Sequence, residues 1–213
     1  SSVDTLAAQS KAAGEASGAA TTAAPAAAGE AADEAAAPAA ETGEEGVEAA
    51  VAEVNGTSYS TLQEAVDAAK SKATVKLLAD TKENVTISTR DVTLDLNGHT
   101  LNGSTGERKP ALTVTNRVYV MDSSETQTGT IMREDTAENS GVSSHYVIDV
   151  QGGSGFLLFK SGTVKNNSGT ANGAKGASLV RVGNDSNKKA HPTVTIAGGT
   201  FTQDNFIAIK VDF

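Results

Sequence analysis

The 213-residue chain contains no cysteine and no tryptophan. The absence of cysteine excludes disulfide cross-links, thiol catalysis and zinc sites built from cysteine ligands. The chain also lacks any stretch approaching the run of about 20 apolar residues that a membrane-spanning helix requires. We therefore expect no transmembrane segment and no structural metal centre based on thiolates.

A concentrated positive charge is also missing. The formal net charge is −9, and residues 1–50 hold nine acidic residues against the single base Lys11. The remaining residues, 51–213, carry 26 − 9 = 17 acids against 17 − 1 = 16 bases and are nearly neutral. Nucleic-acid binding requires a clustered Lys/Arg surface, so the sequence argues against a nucleic-acid partner.

Residues 1–50 are rich in Ala and Glu and have almost no large apolar residue after Leu6. Such a segment buries too little apolar surface to offset the entropy lost on ordering, so we predict a disordered acidic tether. The alternative is a frayed Ala-rich helix between Pro25 and Pro38, which Gly29 and the short span oppose.

A short motif recurs in the second part of the chain. The motif consists of two apolar residues five positions apart, with a polar turn between them and a Thr directly before the second apolar residue. Three copies align without a gap: 96–101, 159–164 and 196–201. A fourth copy runs from Val118 and Val120 to Ile131, with its turn expanded into a loop. Counted on the second apolar residue, the intervals are 131 − 101 = 30, 164 − 131 = 33 and 201 − 164 = 37. Repeats of this length indicate a solenoid whose units bury their apolar sides against one another.

A short amphipathic helix precedes the repeats. Leu62, Ala65, Val66 and Ala69 follow helical spacing, and Ser60 or Thr61 can serve as the N-cap. We predict a capping strand and helix over 51–72 that cover the first rung of the solenoid, with the rungs over 73–213.

Beyond the helix, apolar residues alternate with polar ones in short β-branched runs that Gly, Asn, Asp and Ser separate. One rung is predicted to contain three strands, over 146–151, 156–161 and 162–166. An antiparallel sandwich also gives short alternating strands, but it has no reason to repeat one turn at these intervals. We therefore predict an all-β fold of parallel strands with three strands per rung.

Several of these residues point to a known family. The run from Val54-Asn55-Gly56 through Leu62-Gln63-Glu64-Ala65-Val66, followed by 73–78 and by 92–101, resembles the start of pectin lyase-like right-handed parallel β-helix modules. It is similar to the versions found in cell-surface proteins of Gram-positive bacteria. The resemblance covers about 51–213 and implies a right-handed coil.

The resemblance leaves two functional hypotheses open. The first is a non-enzymatic extracellular module of a bacterial surface protein, with a stalk, adhesive or glycan-binding role and with surface or host glycans or proteins as partners. The second is a polysaccharide lyase or glycoside hydrolase of the pectin lyase-like type whose site is incomplete in these residues. The resemblance implies that a lyase of the pectate type would need a cluster of acids holding calcium; the sequence shows no such cluster, and we predict no cofactor.

Few residues qualify as catalytic candidates. Only Asp95 and Asp122 are retained should the protein be an enzyme, and the alternation around Asp95 predicts a solvated position on the outer face, with Tyr119, Leu158 and Thr195 as its counterparts in the other copies. The three histidines, His99, His145 and His191, do not share a column, so no metal site is predicted.

The inserted loops 122–128, 133–144, 151–155 and 183–190 can build a binding face on a rigid scaffold, although loops also tolerate arbitrary sequence. The bases and aromatic residues near them are candidates for stacking on a sugar or hydrogen-bonding to it: Arg117, Tyr119, Arg133, Tyr146 and Arg181.

Two further expectations concern packing. Phe159 and Ile196 should lie buried in one stacked column. The apolar strand at 206–213 begins a new rung, so we expect the native protein to continue with further rungs, and the isolated chain to associate through this end.

Overall fold

A computed structural model describes residues 49–135, 146–168, 178–184, 186–203 and 208–213. The predicted tether lies almost entirely outside these residues, as does most of the predicted loop 133–144. Both remain predictions.

The described part of the chain is dominated by short strands and contains one short helix. In chain order the elements are β1 Ala52–Val54, β2 Thr57–Tyr59, α1 Leu62–Ala68, β3 Thr74–Leu77, β4 Thr81–Lys82, β5 Val85–Ile87, β6 Val92–Asp95, β7 Thr100–Asn102, β8 Leu112–Val114, β9 Arg117–Met121, β10 Thr130–Arg133, β11 Ile148–Val150, β12 Phe156–Phe159, β13 Thr163–Asn166, β14 Val180–Gly183, β15 Thr193–Ile196, β16 Thr200–Gln203 and β17 Ile209–Asp212.

The strands form three sheets, and from β3 onward consecutive strands of the chain belong to different sheets. Sheet A has the order β15-β12-β9-β6-β3-β1-β2, sheet B the order β16-β13-β10-β7-β4, and sheet C the order β17-β14-β11-β8-β5. From β3 onward every described pairing is parallel, whereas β1 pairs with β2 and β3 antiparallel. The fold is therefore solenoid-like, with parallel strands stacked in rungs.

The threonine column predicted from the repeats is confirmed by the register of sheet B. Thr130 pairs with Thr100 on one side and with Thr163 on the other, and Thr163 pairs with Thr200. The residue after each threonine points into the interior, where Leu101, Ile131 and Val164 are fully buried. Each rung thus contributes one apolar side chain to a continuous interior column, which supplies much of the stabilisation.

The predicted alignment is wrong for the first copy of the motif. In sheet A, Val120 pairs with Leu94 on one side and with Phe159 on the other, so Leu94 and not Leu96 occupies this column. The first copy therefore contains two additional residues. Leu96 is still fully buried because it fills the corner beside Gly129 and Gly162, where a Cβ atom would lie 2.6 Å from Leu96 Cβ and 2.9 Å from Leu96 Cδ1 respectively.

The predicted short amphipathic helix is confirmed as α1. Leu62, Ala65 and Val66 are buried, and Thr61 is the N-cap, its hydroxyl accepting a hydrogen bond from the Glu64 N–H. Glu83 adds a connection to the rungs, since its carboxylate accepts hydrogen bonds from the backbone N–H groups of Leu62 at 2.8 Å and Gln63 at 3.0 Å. These donors have no partner within the helix, so the carboxylate satisfies them and ties α1 to the first rung.

The paired prediction for Phe159 and Ile196 is confirmed in one part and wrong in the other. The two residues are register partners in sheet A, and Phe159 is fully buried, but Ile196 is 39% exposed. Ile196 lies on β15, which is the outer strand of its sheet, and no further described rung covers it. Ile209, Val211 and Phe213 at the same end are also exposed.

Candidate functional site

An open groove of about 410 Å³ lies on the outer face of sheet A. Its lining comes from four neighbouring strands, β3, β6, β9 and β12, or from the turns beside them: Lys72, Asp91, Thr93, Arg117, Tyr119 and Lys160. Because these strands stack along the solenoid axis, the groove crosses several rungs. Two of the predicted ligand-binding residues, Arg117 and Tyr119, are brought together here.

The alternation of strand residues explains why these side chains share one face. Val118 and Val120 of β9 are buried, so Arg117 and Tyr119 point outward. Thr93 is the register partner of Tyr119 on β6 and points the same way. Lys160 follows the buried Phe159 at the end of β12 and therefore also projects outward.

Asp91 connects the two predicted residues. Its Oδ1 atom lies 2.7 Å from Arg117 Nε, in an ion pair without hydrogen-bond alignment of the N–H, and 3.4 Å from the Tyr119 hydroxyl, which donates to it. Arg90 Nε lies 3.6 Å from the other carboxylate oxygen. Asp91 sits in the turn before β6 with a left-handed backbone, φ 64°, which directs its side chain over the sheet.

Two lysines complete the charge of the groove. Lys160 Nζ lies 5.3 Å from the centroid of the Tyr119 ring, within the range of a cation–π contact. Lys72 enters from the turn before β3, with φ 68°. Among the described residues that line the groove, three cations thus face one carboxylate, Asp91.

A second open groove of about 390 Å³ adjoins the first, because Arg117 lines both. Its other lining residues are Arg90, Asn116, Ser154 and Phe156. The Asn116 side chain accepts a hydrogen bond of 2.9 Å from the Arg117 N–H, which fixes the start of β9. The two grooves together give sheet A an extended polar and aromatic surface.

Asp95 does not lie on a solvated outer face, contrary to our prediction. It is 6% exposed, and its register partner on β9 is Met121, not Tyr119. Its Oδ1 atom accepts hydrogen bonds from the backbone N–H groups of Asn97 at 2.9 Å and Ser123 at 3.0 Å. The two additional residues of the first copy turn this side chain into the corner, where it satisfies backbone donors.

Asp122 is likewise enclosed, at 3% exposure. Its carboxylate accepts hydrogen bonds from the N–H groups of Gly98, Ser124 and Gly129 and from the Ser124 hydroxyl. Burial alone raises the pKa of Asp122, but the hydrogen bonds from Ser124, Gly129 and Gly98 outweigh it and hold the pKa below its ordinary value. Both predicted catalytic candidates therefore organise a corner of the solenoid.

Arg133 and Tyr146 are not available to a ligand in this structure. Arg133 ends strand β10 instead of starting a loop, is fully buried, and forms a two-pronged ion pair with Asp135 at 2.7 and 2.9 Å. Tyr146 is 1% exposed. The alternation of β10 places the Arg133 side chain inward, which the loop-based prediction did not consider.

Arg181 lies on sheet C, away from the groove. Its Nε donates to Asp212 at 3.0 Å, and its guanidinium lies 5.1 Å from the Tyr146 ring. Lys210 Nζ approaches the same carboxylate at 3.2 Å, so Arg181 belongs to a partly buried ionic network. On the neighbouring strand, burial raises the pKa of Asp149, although the hydrogen bond from Gln151 and the charge of Arg181 oppose it. The five predicted binding residues thus do not form one site.

The described histidines have local partners. His99 Nδ1 lies 3.5 Å from Asp80 Oδ1, and His191 Nε2 lies 3.0 Å from the Lys188 carbonyl oxygen; His145 is outside the described residues. Within the described ranges, no three His, Cys, Asp or Glu side chains are close enough to hold a metal ion. No helix within the same ranges is long and apolar enough to span a membrane.

Four of the groove residues, Lys72, Asp91, Thr93 and Lys160, were missed by sequence reasoning. Lys72 and Asp91 lie in turns, where period-two alternation gives no direction. The available signal was the register itself, since Lys160 occupies the outward position two residues after Leu158, whose partner is Tyr119.

Comparison with protein-family models, with curated proteins and with solved structures finds no match to this chain.

Proposed function

We propose that residues 51–213 form a right-handed, three-stranded parallel β-helix of the pectin lyase-like type that acts as a non-enzymatic glycan-binding module of an extracellular bacterial surface protein. The fold assignment is supported by three parallel sheets with interleaved strand order. The handedness, the family and the extracellular setting are proposals that stem from the sequence resemblance.

The observation that carries the binding role is the composition of the sheet A groove. A partly exposed aromatic ring, Tyr119, lies among hydrogen-bonding side chains on a rigid sheet. An aromatic ring offers a flat apolar face to the C–H groups of a sugar ring, while charged and hydroxyl groups beside it bond the sugar hydroxyls. Because Thr93, Arg117 and Tyr119 lie on strands, these groups are held in place before the ligand arrives.

The non-enzymatic character is supported by the state of the carboxylates. A glycoside hydrolase uses two carboxyl groups roughly 5–10 Å apart, one on each side of the scissile bond. Asp91 is the single acid among the described groove residues, and it is paired with Arg117. Asp95 and Asp122 are engaged by backbone N–H groups within the corner.

The alternative is a polysaccharide lyase or hydrolase whose site lies only partly in these residues. One observation favours it: Arg117, Lys160 and the Tyr119 hydroxyl lie together, and such groups can neutralise a carboxylate and accept a proton. An assay for unsaturated uronate and for new reducing ends across a polysaccharide panel tests this directly. Turnover that is lost in the Tyr119→Phe variant would establish the enzyme and overturn the binding module.

The binding role is tested by presenting the 213-residue chain to an oligosaccharide array and measuring the positive ligands by calorimetry. We expect binding that the Tyr119→Ala variant loses and that the Met132→Ala variant keeps. Met132 is a matched control because it is half-buried on the outer face of sheet B. Absence of binding to every glycan, or equal loss in both variants, would contradict the proposed function.

A further inference from the structure

The Asn-Gly pairs of the sequence carry a chemistry that the proposed function does not use. Three pairs lie in the described residues, at 55–56, 97–98 and 102–103, and the fourth, at 172–173, lies outside them. An asparagine before a glycine is prone to deamidation, because glycine has no Cβ atom to shield its backbone nitrogen from the asparagine side chain. In a folded protein the reaction further requires that this nitrogen and the carboxamide are free to meet.

The Asn97-Gly98 pair is held at both reacting groups. The Asn97 carboxamide donates a hydrogen bond to the Leu77 carbonyl oxygen at 2.9 Å. The Gly98 N–H donates to Asp122 Oδ1, also at 2.9 Å. The nitrogen that would attack is therefore engaged, and freeing it breaks a contact of the corner between sheets A and B.

The Asn102-Gly103 pair is buried as well as bonded. The Asn102 carboxamide donates to Glu134 Oε1 at 2.7 Å, and the Gly103 N–H donates to the Met132 carbonyl oxygen at 2.8 Å. A Cβ atom at Gly103 would lie 2.5 Å from Ala111 Cα, so neighbouring backbone closes the space around this pair. Reaction at Asn102 therefore requires local unfolding of the rungs.

The Asn55-Gly56 pair differs in each respect. Both residues are exposed, and among the described residues no hydrogen bond engages the Asn55 carboxamide or the Gly56 N–H. A Cβ atom at Gly56 would meet nothing within 4 Å. The reacting groups of this pair are thus free of the contacts that hold the other two.

The position of this pair in the fold also makes local opening easy. Asn55 and Gly56 form the two-residue turn between β1 and β2, with φ 50° and 76°. Attack requires rotation about the Asn55 Cα–C bond, which opens the turn. Because β2 is the end strand of sheet A and pairs with β1 alone, this opening breaks no pairing between rungs.

From this contrast we propose that Asn55 is a site of deamidation in the folded protein, while Asn97 and Asn102 are retained. The Gly56 backbone nitrogen loses its proton and bonds to Asn55 Cγ, the Cγ–Nδ2 bond breaks, and Nδ2 leaves as ammonia with that proton. Water then opens the resulting five-membered succinimide at one of its two carbonyl carbons. The product is aspartate or isoaspartate, and either one adds a negative charge. The proposal is independent of glycan binding.

The isoaspartate product changes the backbone as well as the charge. Its main chain passes through the side-chain carbons of residue 55, which adds one methylene group to the turn that pairs Val54 with Thr57. Because the length of a hairpin turn fixes the register of its strands, the longer turn loosens β2 from β1. Deamidation at Asn55 therefore weakens the strand that covers this end of sheet A.

The test is incubation of the folded 213-residue chain at mildly alkaline pH, followed by peptide mapping with mass spectrometry. Cleavage after glutamate releases residues 54–64, and cleavage after arginine releases residues 91–108, which contain Asn97 and Asn102. Asn55 should be lost at least about tenfold faster than either of these in the folded chain. In guanidinium chloride the three rates should be similar, which assigns the difference to the fold.

Two variants separate the charge of the product from its backbone. Hydrogen exchange of the β2 amides should accelerate in the wild-type chain as isoaspartate accumulates, and it should stay constant in Asn55→Gly, which has no carboxamide and tolerates positive φ. Asn55→Asp carries the charge of the product on a backbone of normal length. Its β2 amides should exchange at a rate close to that of the fresh wild-type chain.

Each outcome has a separate meaning. Equal loss of the three asparagines in the folded chain would overturn the proposed site, and so would retention of Asn55 in the folded chain when the unfolded chain loses it. Loss of Asn55 with unchanged exchange of the β2 amides would support the site and overturn the loosening of the hairpin. Accelerated exchange in Asn55→Asp would assign the loosening to charge and overturn the role of the longer backbone.

Discussion

Asp122 Oδ2 accepts a hydrogen bond of 2.6 Å from the N–H of Gly129, seven residues further along the chain. This contact closes the loop between β9 and β10. The same carboxylate accepts from the Gly98 N–H of the preceding rung at 2.9 Å, so one side chain joins two rungs at the corner between sheets A and B.

Replacing Asp122 with Asn should lower the free energy of unfolding by about 1–3 kcal/mol at neutral pH, because a neutral amide is a weaker acceptor and presents an NH₂ group to backbone donors. The control is Glu125→Gln in the exposed part of the same loop, which should have little effect. Urea denaturation followed by circular dichroism measures both.

The pH dependence of that difference has a definite sign. The folded-state pKa of Asp122 lies below its ordinary value of 3.8, so the ionised group stabilises the fold above about pH 3.8, and this stabilisation is lost as the pH falls through the folded pKa. The stability gap between wild type and Asp122→Asn should therefore narrow in acid. A gap that widens between pH 5 and pH 3, on the order of the range in which carboxyl groups titrate, would contradict this assignment.

Substituting Gly129 with Ala should destabilise the fold by about 1–3 kcal/mol through overpacking. A Cβ atom at this position would lie 2.6 Å from Leu96 Cβ and 2.7 Å from Asp122 Cγ. Gly153→Ala is the matched control, since a Cβ there meets nothing within 4 Å. Thermal unfolding of the two variants should differ clearly, and equal melting temperatures would show that the corner is not tightly packed.

Phe159→Ala should cost on the order of 3–5 kcal/mol, because the side chain is fully buried and its ring contacts Phe201 edge-to-face at 5.1 Å between centroids. Ile196→Ala in the same column should cost clearly less, since Ile196 is 39% exposed. Chemical denaturation of both variants tests the expected order. The reverse order would indicate that the end rung is covered in solution.

The repeat predicted much of the fold because its cause is physical. In each copy the threonine is the first residue of a sheet B strand, and the apolar residue after it points into the interior. The four threonines pair with one another in sheet B: Thr100, Thr130, Thr163 and Thr200. The predicted alignment of the first motif copy was wrong at Leu96. Two additional residues between Leu94 and Leu101 leave the spacing of the apolar residues that the motif requires unchanged. Only the register with Val120 reveals them.

The site was less accessible to prediction than the fold. Period-two alternation would have directed Arg133 inward, but its position after the last apolar residue of a motif suggested a loop. Burial of an Arg becomes favourable only through a partner such as Asp135, and the sequence alone does not specify that pairing. Conversely, Lys72 and Asp91 reach the groove from turns, whose directions depend on the neighbouring rungs.

The sheet A groove is the surface that we propose binds a glycan. Nuclear magnetic resonance titration of the ¹⁵N-labelled chain with the best-binding oligosaccharide tests it most directly, because backbone amide shifts report contact residue by residue. We expect the largest changes on Thr93, Arg117, Tyr119 and Lys160, while the amides of Thr130 and Thr163 in sheet B stay unchanged. Changes concentrated on sheet B or sheet C, with the groove amides unmoved at saturation, would contradict it.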